Sequence, residues 1–388
     1  MSEQKAIIYL DSADYSTLSD PNIGDQMEEI RNSLFTLSKH ENVIFVFSAA
    51  HISEMAPTQQ RHAGKATART ELLTKLCKRN AMISFDKLIK LELQNLSQRS
   101  HLKISAIDFN GSWFPEINDL LTPLHELNIL GNINEEINGE NLNRNQRRAL
   151  NRTLHKKGAL RSDVEKKLGQ FDLGAILDKY PMRPTNAITL KNYIFGKASK
   201  SEAESAFLES LRDPKWMMEW FNDHYEKLGA IGELVRKPAA EIVQTINDSL
   251  IPIVSNIYQG EAEDKKQLQK TLSKNSWSKL QDTFVVNTTN QLLRDVLFVE
   301  QKCDDILAID EYCPGISTCL RVIHSSIRNS LIQRPRTIKN SDIVDALHSL
   351  YLPYVTHFKT DTYMTELMKP HAERHDTEMI SDLSKLAI

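Results

Sequence analysis

The strand-like segments of this chain lie at its two ends, and that placement constrains the fold more than any other feature. Residues 5–11 (KAIIYLD) and 43–47 (VIFVF) are short, β-branched or aromatic, and each gives way to polar residues. Between them Asp20-Pro21-Asn22 reads as a cap, followed by a helix with Met27, Ile30, Leu34 and Leu37 at helical spacing. After Ser48 comes a second helical pattern with Ile52 and Met55, and it carries Glu54. This β-α-β-α order opens a parallel sheet with helices on its faces. From about residue 60 to about residue 335 strand patterning nearly vanishes. It returns after a helix over 341–352, closed near Pro353, as a strand over 355–360 followed by a last helix. The expected organisation is an α/β core built from residues 1–62 and 312–388, with a large all-α insertion over 63–311.

The insertion reads as successive helices. One covers 65–99, with Leu72, Leu73 and Leu76 and then Leu88 and Leu91; others cover 201–233, 238–258 and 267–300, and another starts at Pro314. Residues 132–145, rich in Asn, Glu and Gly, read as a loop. Trp216, Trp220 and Phe221 sit at i, i+4 and i+5, which reads as a helical core stripe before it reads as a platform for stacking bases.

Bulk properties exclude some classes. The 388 residues carry a formal net charge of -3, so no global field draws the chain to nucleic acid and any basic surface must be local. No run of about 18 apolar residues is present, so no membrane span is expected. Met1-Ser2-Glu3-Gln4-Lys5 leads straight into a strand, unlike a signal peptide. Cys77, Cys303, Cys313 and Cys319 are scattered without metal-type spacing and fit a reducing compartment, so the expected location is cytoplasmic. There is no phosphate-binding GxxxxGK[ST] loop, no GxGxxG after a strand and no GxSxG elbow.

What remains is a pattern of acids. Asp11 ends the first strand, Glu54 lies on the helix after the second, Asp342 and Asp345 open the helix before the last strand, and Asp361 follows that strand. In open parallel sheets functional groups gather at the carboxyl ends of strands. Mg²⁺ and Mn²⁺ want oxygen ligands, so four or five acids at one sheet edge could hold two ions roughly 4 Å apart and act on a phosphodiester. Each acid also has a structural reading: Asp11 closing a turn, Asp342 or Ser341 capping a helix, Glu54 solvated on a helix face.

The segments IIYLDSADYSTL, VFSAAHISEM, SDIVDALHSLYLPYV and FKTD together resemble the PIN-like nuclease domains, in particular bacterial PIN-like proteins with long helical insertions. The resemblance covers roughly residues 5–60 and 315–370 and not the insertion. It implies a short parallel sheet flanked by helices and a Mg²⁺- or Mn²⁺-dependent hydrolysis of phosphodiesters. Asp11, Glu54, Asp345 and Asp361 match the catalytic and metal-binding positions, with Asp342 an additional or alternative ligand. RNA is the substrate the resemblance leans toward, with DNA open.

Other residues bear on the same reading. His348, one turn after Asp345, could orient a carboxylate, contact a scissile phosphate or serve as a packed helix histidine. His51 divides the same way. His371 and His375 form an i, i+4 pair without an HExxH framework, so zinc is not expected. Arg144, Arg147, Arg148, Arg152, Lys156, Lys157 and Arg161 form a basic helix candidate with no acid among them, able to neutralise several phosphates or to stand as a solvated face. The insertion could also carry a dimer interface or a partner-protein surface. The competing class is a catalytically inactive PIN-like scaffold or binding module in a larger assembly; a metal phosphatase acting on small molecules is a third.

Overall fold

The computed structural model describes residues 5–57, 60–114, 181–223, 273–332 and 345–386, with a few isolated positions besides. The chain opens with strand β1 (Ala6–Tyr9), helices α1 (Ser12–Leu18) and α2 (Asp25–Leu37), strand β2 (Val43–Val46) and helix α3 (Ala49–Met55). Ile30 and Leu34 of α2, and Ile52 and Met55 of α3, are buried, as their spacing requires.

The segment expected as one helix over 65–99 is two, α4 (Ala63–Cys77) and α5 (Phe85–Gln98). The break lies where Lys78 takes a positive φ of 56° and the chain turns to run beside the sheet. Strand β3 (Ala81–Met82) is fully buried there. Met82 N donates to the Phe47 carbonyl at 2.6 Å, and β3 pairs antiparallel with β4 (Ile107–Asp108). Strands of two residues are too short to show a period of two in sequence.

In the next described stretch the helices are α6 (Pro184–Ile194), α7 (Lys200–Leu211) and α8 (Pro214–Asp223). The helix expected from 201 onward is therefore interrupted after Leu211. Pro214 lacks the N–H that would continue α7, and Asp213 accepts from Trp216 N at 3.2 Å to start α8. Met217, Met218, Trp220 and Phe221 are buried, so the aromatic stripe is core. Then come α9 (Lys274–Leu297), α10 (Ile306–Tyr312) and α11 (Pro314–Ile332). Residues 345–348 are helical and tighten into a 3-10 helix over Ser349–Tyr354 that holds Pro353. Strand β5 (His357–Lys359), helix α12 (Thr362–Ala372) and strand β6 (Glu378–Ile380) complete the order. The end of the chain thus returns to the sheet, where a helix alone was expected.

All four long-range strands are parallel, in the order β2-β1-β5-β6. Ile8 pairs with His357 and Tyr9 with Phe358, which joins the two ends of the chain. Thr356 fixes this register twice, its Oγ1 accepting from Ile7 N at 2.7 Å and its N donating to the Ile7 carbonyl at 2.9 Å. Covered on both faces, these strands are apolar throughout, and Ile8, Tyr9, Leu10, Phe45, Val46 and Phe358 are buried.

The compact unit holding the sheet comprises Met1–Pro115 and Tyr225–Ile388, and Glu116–His224 form a second. The first unit reaches further along the chain than segments 1–62 and 312–388. Leu88 and Leu93 of α5, Val285 and Leu293 of α9, Ile309 of α10 and Val322 of α11 share one apolar core with Tyr9, Val46 and Phe358. Mid-chain helices therefore cover the sheet as well as interrupting its sequence.

One buried acid ties these helices together. Glu92 on α5 accepts from Gly315 N at 2.7 Å and Ile316 N at 2.8 Å, capping α11, and also accepts from the Tyr354 hydroxyl. Gly315 sits so close that a Cβ there would lie 2.5 Å from the Leu350 carbonyl oxygen and 2.6 Å from Glu92 Oε1. Gly315→Ala should therefore lower stability by about 2 kcal/mol through overpacking. Urea unfolding of the variant checks this, and an unchanged midpoint would contradict the close approach.

Candidate functional site

Strand β1 delivers Asp11 to the carboxyl edge of the sheet, where it becomes the N-cap of α1. Its Oδ1 accepts from Ala13 N at 3.3 Å, and Asp14 reaches back to accept from Asp11 N at 3.1 Å, completing a capping box. The next strand over contributes two further supports. Thr360 Oγ1 donates to Asp11 Oδ2 at 3.1 Å, and Lys359 Nζ sits 2.8 Å from Asp14 Oδ1, both side chains of that pair being buried. Burial pushes the Asp14 carboxyl up, with Lys359 opposing.

Four side chains form a chain of hydrogen bonds behind Asp11. The Leu10 carbonyl only accepts, so His51 Nε2 donates to it at 2.7 Å, and His51 Nδ1 must then accept, from Ser48 N at 3.0 Å and from Ser48 Oγ at 3.2 Å. Ser48 in turn accepts from Tyr9 Oη at 2.7 Å, which leaves Tyr9 to accept from His348 Nδ1 at 2.5 Å. The proton positions follow from the fixed acceptor at one end. His51 is thereby neutral; burial, followed by the charge of His348, pushes it down to about 4. Of its two sequence readings, the structural one holds: it braces the backbone just before Asp11. Tyr9 stays protonated because burial pushes its hydroxyl well above the ordinary range.

His348 meets Glu54 at the far end of this chain. Its Nε2 lies 3.4 Å from Glu54 Oε2, as an ion pair, but without an aligned hydrogen bond. Burial pulls His348 down, and the charges of Glu54, Asp11 and Asp345 more than offset it, so the imidazole is raised above its ordinary value. The partner carboxyl responds in reverse. Burial raises Glu54, but His348 brings it below the ordinary range. Ser12 Oγ, beside Glu54, is also buried without an aligned partner. His348 is only 5% exposed and faces Glu54 rather than solvent.

Asp345, half-buried one helical turn before His348, feels the whole acid set. Burial first, then Glu54, with Asp11 and Asp361 adding and His348 opposing, pushes its carboxyl up to about 7. Asp361 is exposed at the start of α12, where Oδ1 accepts from Met364 N at 2.7 Å. The structure thus brings Asp11, Glu54, Asp345 and Asp361 into one field. Among the described residues no three His, Cys, Asp or Glu side chains are gathered closely enough to hold one ion as they stand. The donor chemistry is that of a hard divalent cation, all carboxylate, and the repulsion felt by Asp345 is what such a cation would relieve.

No family model matches the chain, and no curated protein or solved structure matches it either. The site therefore rests on its own geometry. Asp342, Arg144, Arg147, Lys156, Lys157 and Arg161 lie outside the described residues; Arg148 and Arg152 are described singly, both exposed, with Arg152 N donating to the Arg148 carbonyl at 3.2 Å. His371 and His375 belong to the other end of α12. Tyr9, Asp14, Lys359 and Thr360 are the supporting residues that sequence reasoning missed. The available signals were a hydroxyl-bearing aromatic in an aliphatic strand and a lysine inside the apolar run before Asp361.

Proposed function

We propose that this chain is a PIN-like, Mg²⁺- or Mn²⁺-dependent nuclease acting on RNA. The observation that carries the reading is the convergence of Asp11, Glu54, Asp345 and Asp361 from four separate segments on the carboxyl edge of one parallel sheet, where Asp345 senses the other three. Two further features support it. The sheet joins the two ends of the chain in parallel across a long helical interruption, and an isolated parallel bridge from Phe47 to Ala81 ties the short β3–β4 pair to its β2 side. RNA is carried by the sequence resemblance.

Asp11, Glu54, Asp345 and Asp361 would hold the metal. When bound, Mg²⁺ or Mn²⁺ supplies Lewis acidity toward a phosphoryl oxygen and makes a water a better nucleophile. The protein's own residues set the geometry. Thr360 Oγ1 and Ala13 N fix the Asp11 carboxylate, Asp14 holds the Asp11 backbone N–H, and His348 fixes Glu54 while the Tyr9–Ser48–His51 chain fixes His348.

A second reading has its own observation. Asp11 and Asp361 both cap helices through one oxygen, and Glu54 is paired with His348, so each has a structural use in a scaffold without chemistry. Labelled RNA and single-stranded DNA incubated with Mn²⁺ or with EDTA separate the two. The nuclease cuts RNA with Mn²⁺ only, and Asp11→Asn and Asp361→Asn each lower the rate by about 10²-fold or more, in the range of a lost electrostatic contact in an active site. Cleavage equal in all three proteins, or absent from all, supports the scaffold.

A further inference from the structure

A second site lies at the opposite end of α12 from Asp361. A cleft of about 620 Å³ opens between α10, the first turns of α11 and the last turn of α12. That volume falls within the usual range for small-molecule sites. With 11 residues, α12 separates the two ends by about 16 Å at helical rise. The cleft is thus distinct from the strand-end acids.

Its charges are mostly paired, and Arg374 keeps part of its guanidinium free. Asp310 accepts from the Ser317 hydroxyl, from Arg321 Nη2 at 3.2 Å to both oxygens, and from Arg374 Nη1 at 3.4 Å. Three donor atoms make four contacts to this one carboxylate. Arg321, 4% exposed, is itself used up, with Nη1 on Asp282 at 2.7 Å and Nε on Ser317. Glu311, the other acid of the lining, pairs with His101 at 3.6 Å. Arg374 differs. Among the described residues its bond to Asp310 uses one N–H, and the side chain is 52% exposed, which leaves the rest of the guanidinium fork open.

Two histidines complete the wall. His371 is 7% exposed, lines the cleft and has an Nδ1 with no hydrogen-bond partner. His375, one turn on, lies with Nε2 3.4 Å from Thr318 Oγ1. Burial and then Arg374 push both imidazoles down, His371 to about 4, against the pull of Asp310. Burial is the larger cause, and Arg374 is the cationic group of the cleft that acts on both rings.

We propose that this cleft binds a phosphate-type oxyanion carried by a small molecule, with Arg374 as the bidentate donor and His371, His375 and Thr318 as its neighbours. The guanidinium fork matches two oxygens of a phosphate at once. An imidazole N–H and a hydroxyl are suited to the remaining oxygens. The binding is independent of the strand-end acids and needs no divalent ion.

Calorimetric titration in EDTA, with inorganic phosphate in one arm and adenosine 5′-monophosphate in the other, tests this. The expected result is one site per chain, weakened about 10-fold or more by Arg374→Ala, a loss of about 1.4 kcal/mol or more. The tighter arm tells whether the ligand is the free ion or a phosphomonoester. Proton NMR of the wild-type protein gives a second reading, in which the ring signals of His371 and His375 shift on adding phosphate and those of His51 do not. No heat in either arm at 10 mM ligand, as a rough ceiling for a specific site, or equal affinity in Arg374→Ala, overturns the proposal. Unmoved His371 and His375 signals do the same. Loss of RNA cleavage in the strand-end variants leaves this result untouched, so the two readings fail separately.

Discussion

Asp345→Asn should sharply lower the proposed cleavage and, in EDTA, make the protein more stable. The two effects have one cause. Asp345 is half-buried among Glu54, Asp11 and Asp361, and its carboxyl is pushed from an ordinary 3.8 up to about 7. A folded value raised above the unfolded one means that the contribution to stability is complete below 3.8 and lost as pH rises through about 7. At pH 8 without metal the charged form is a cost, and an amide removes it. After discounting for partial exposure, the gain is about 1–2 kcal/mol. On the proposed nuclease reading the same substitution removes a metal-holding carboxylate, and cleavage should then fall by about 10³-fold. Adding Mn²⁺ should raise the melting temperature of the wild type more than that of the variant, because only a ligand that favours the folded state stabilises it. Thermal melts at pH 8 in EDTA and in Mn²⁺, beside the RNA assay, read all three. A variant that is less stable in EDTA would show that Asp345 is not under repulsion.

Glu92→Ala should be the most damaging single change to the fold. Glu92 is fully buried and gives its two oxygens to Gly315 N, Ile316 N and the Tyr354 hydroxyl, so truncation strands three buried donors. Hydrogen bonds to a charged group contribute about 1.5–3 kcal/mol each, and neighbouring ones do not add fully, so the loss is about 3–5 kcal/mol. Burial, only partly offset by Tyr354 and the two N–H groups, raises the Glu92 carboxyl from 4.5 to about 7. The sign is therefore that of a raised acid. Its contribution is greatest below pH 4.5 and declines as pH rises through about 7. Glu92→Gln cannot titrate, so the difference in stability between wild type and this variant should shift in its favour by about 2–3 kcal/mol between pH 4.5 and 8. Urea unfolding at several pH values measures both. A difference that is flat with pH would mean the carboxylate is held ionised by its three donors throughout.

Much of the local structure was legible because it is written in short-range patterns. KAIIYLD and VIFVF are strands since apolar, β-branched residues run on to a polar end, and α2, α3 and α11 follow from spacing and caps. The two-residue strands and the last strand were not legible. β3, β4 and β6 are too short to have a period, and each exists only because a longer strand or a turn lies beside it. The reach of the core was hidden for a related reason. An apolar stripe such as Leu88 and Leu93 shows that α5 buries a face, but not that the face lies against Tyr9 and Phe358.

The same division runs through the site. Asp11, Glu54, Asp345 and Asp361 were singled out from their positions after strands and on helices, where open parallel sheets tend to gather functional groups. Their conversion into one electrostatic unit came from the pairing of Ile8 with His357, which carries Asp361 and Thr360 to Asp11. His51 and His348 look alike in sequence, each three residues from an acid. The tertiary structure separates them: one is held against the Leu10 carbonyl and pushed down to about 4, and the other faces Glu54, which raises it. By itself, then, the sequence determined where strands and helices form and which side chains stand at their ends, because those depend on neighbours a few residues away. Only the tertiary structure decided which acids repel, which histidine takes a proton and which lysine pairs with Asp14, because desolvation and charge act through space between segments that the chain keeps far apart.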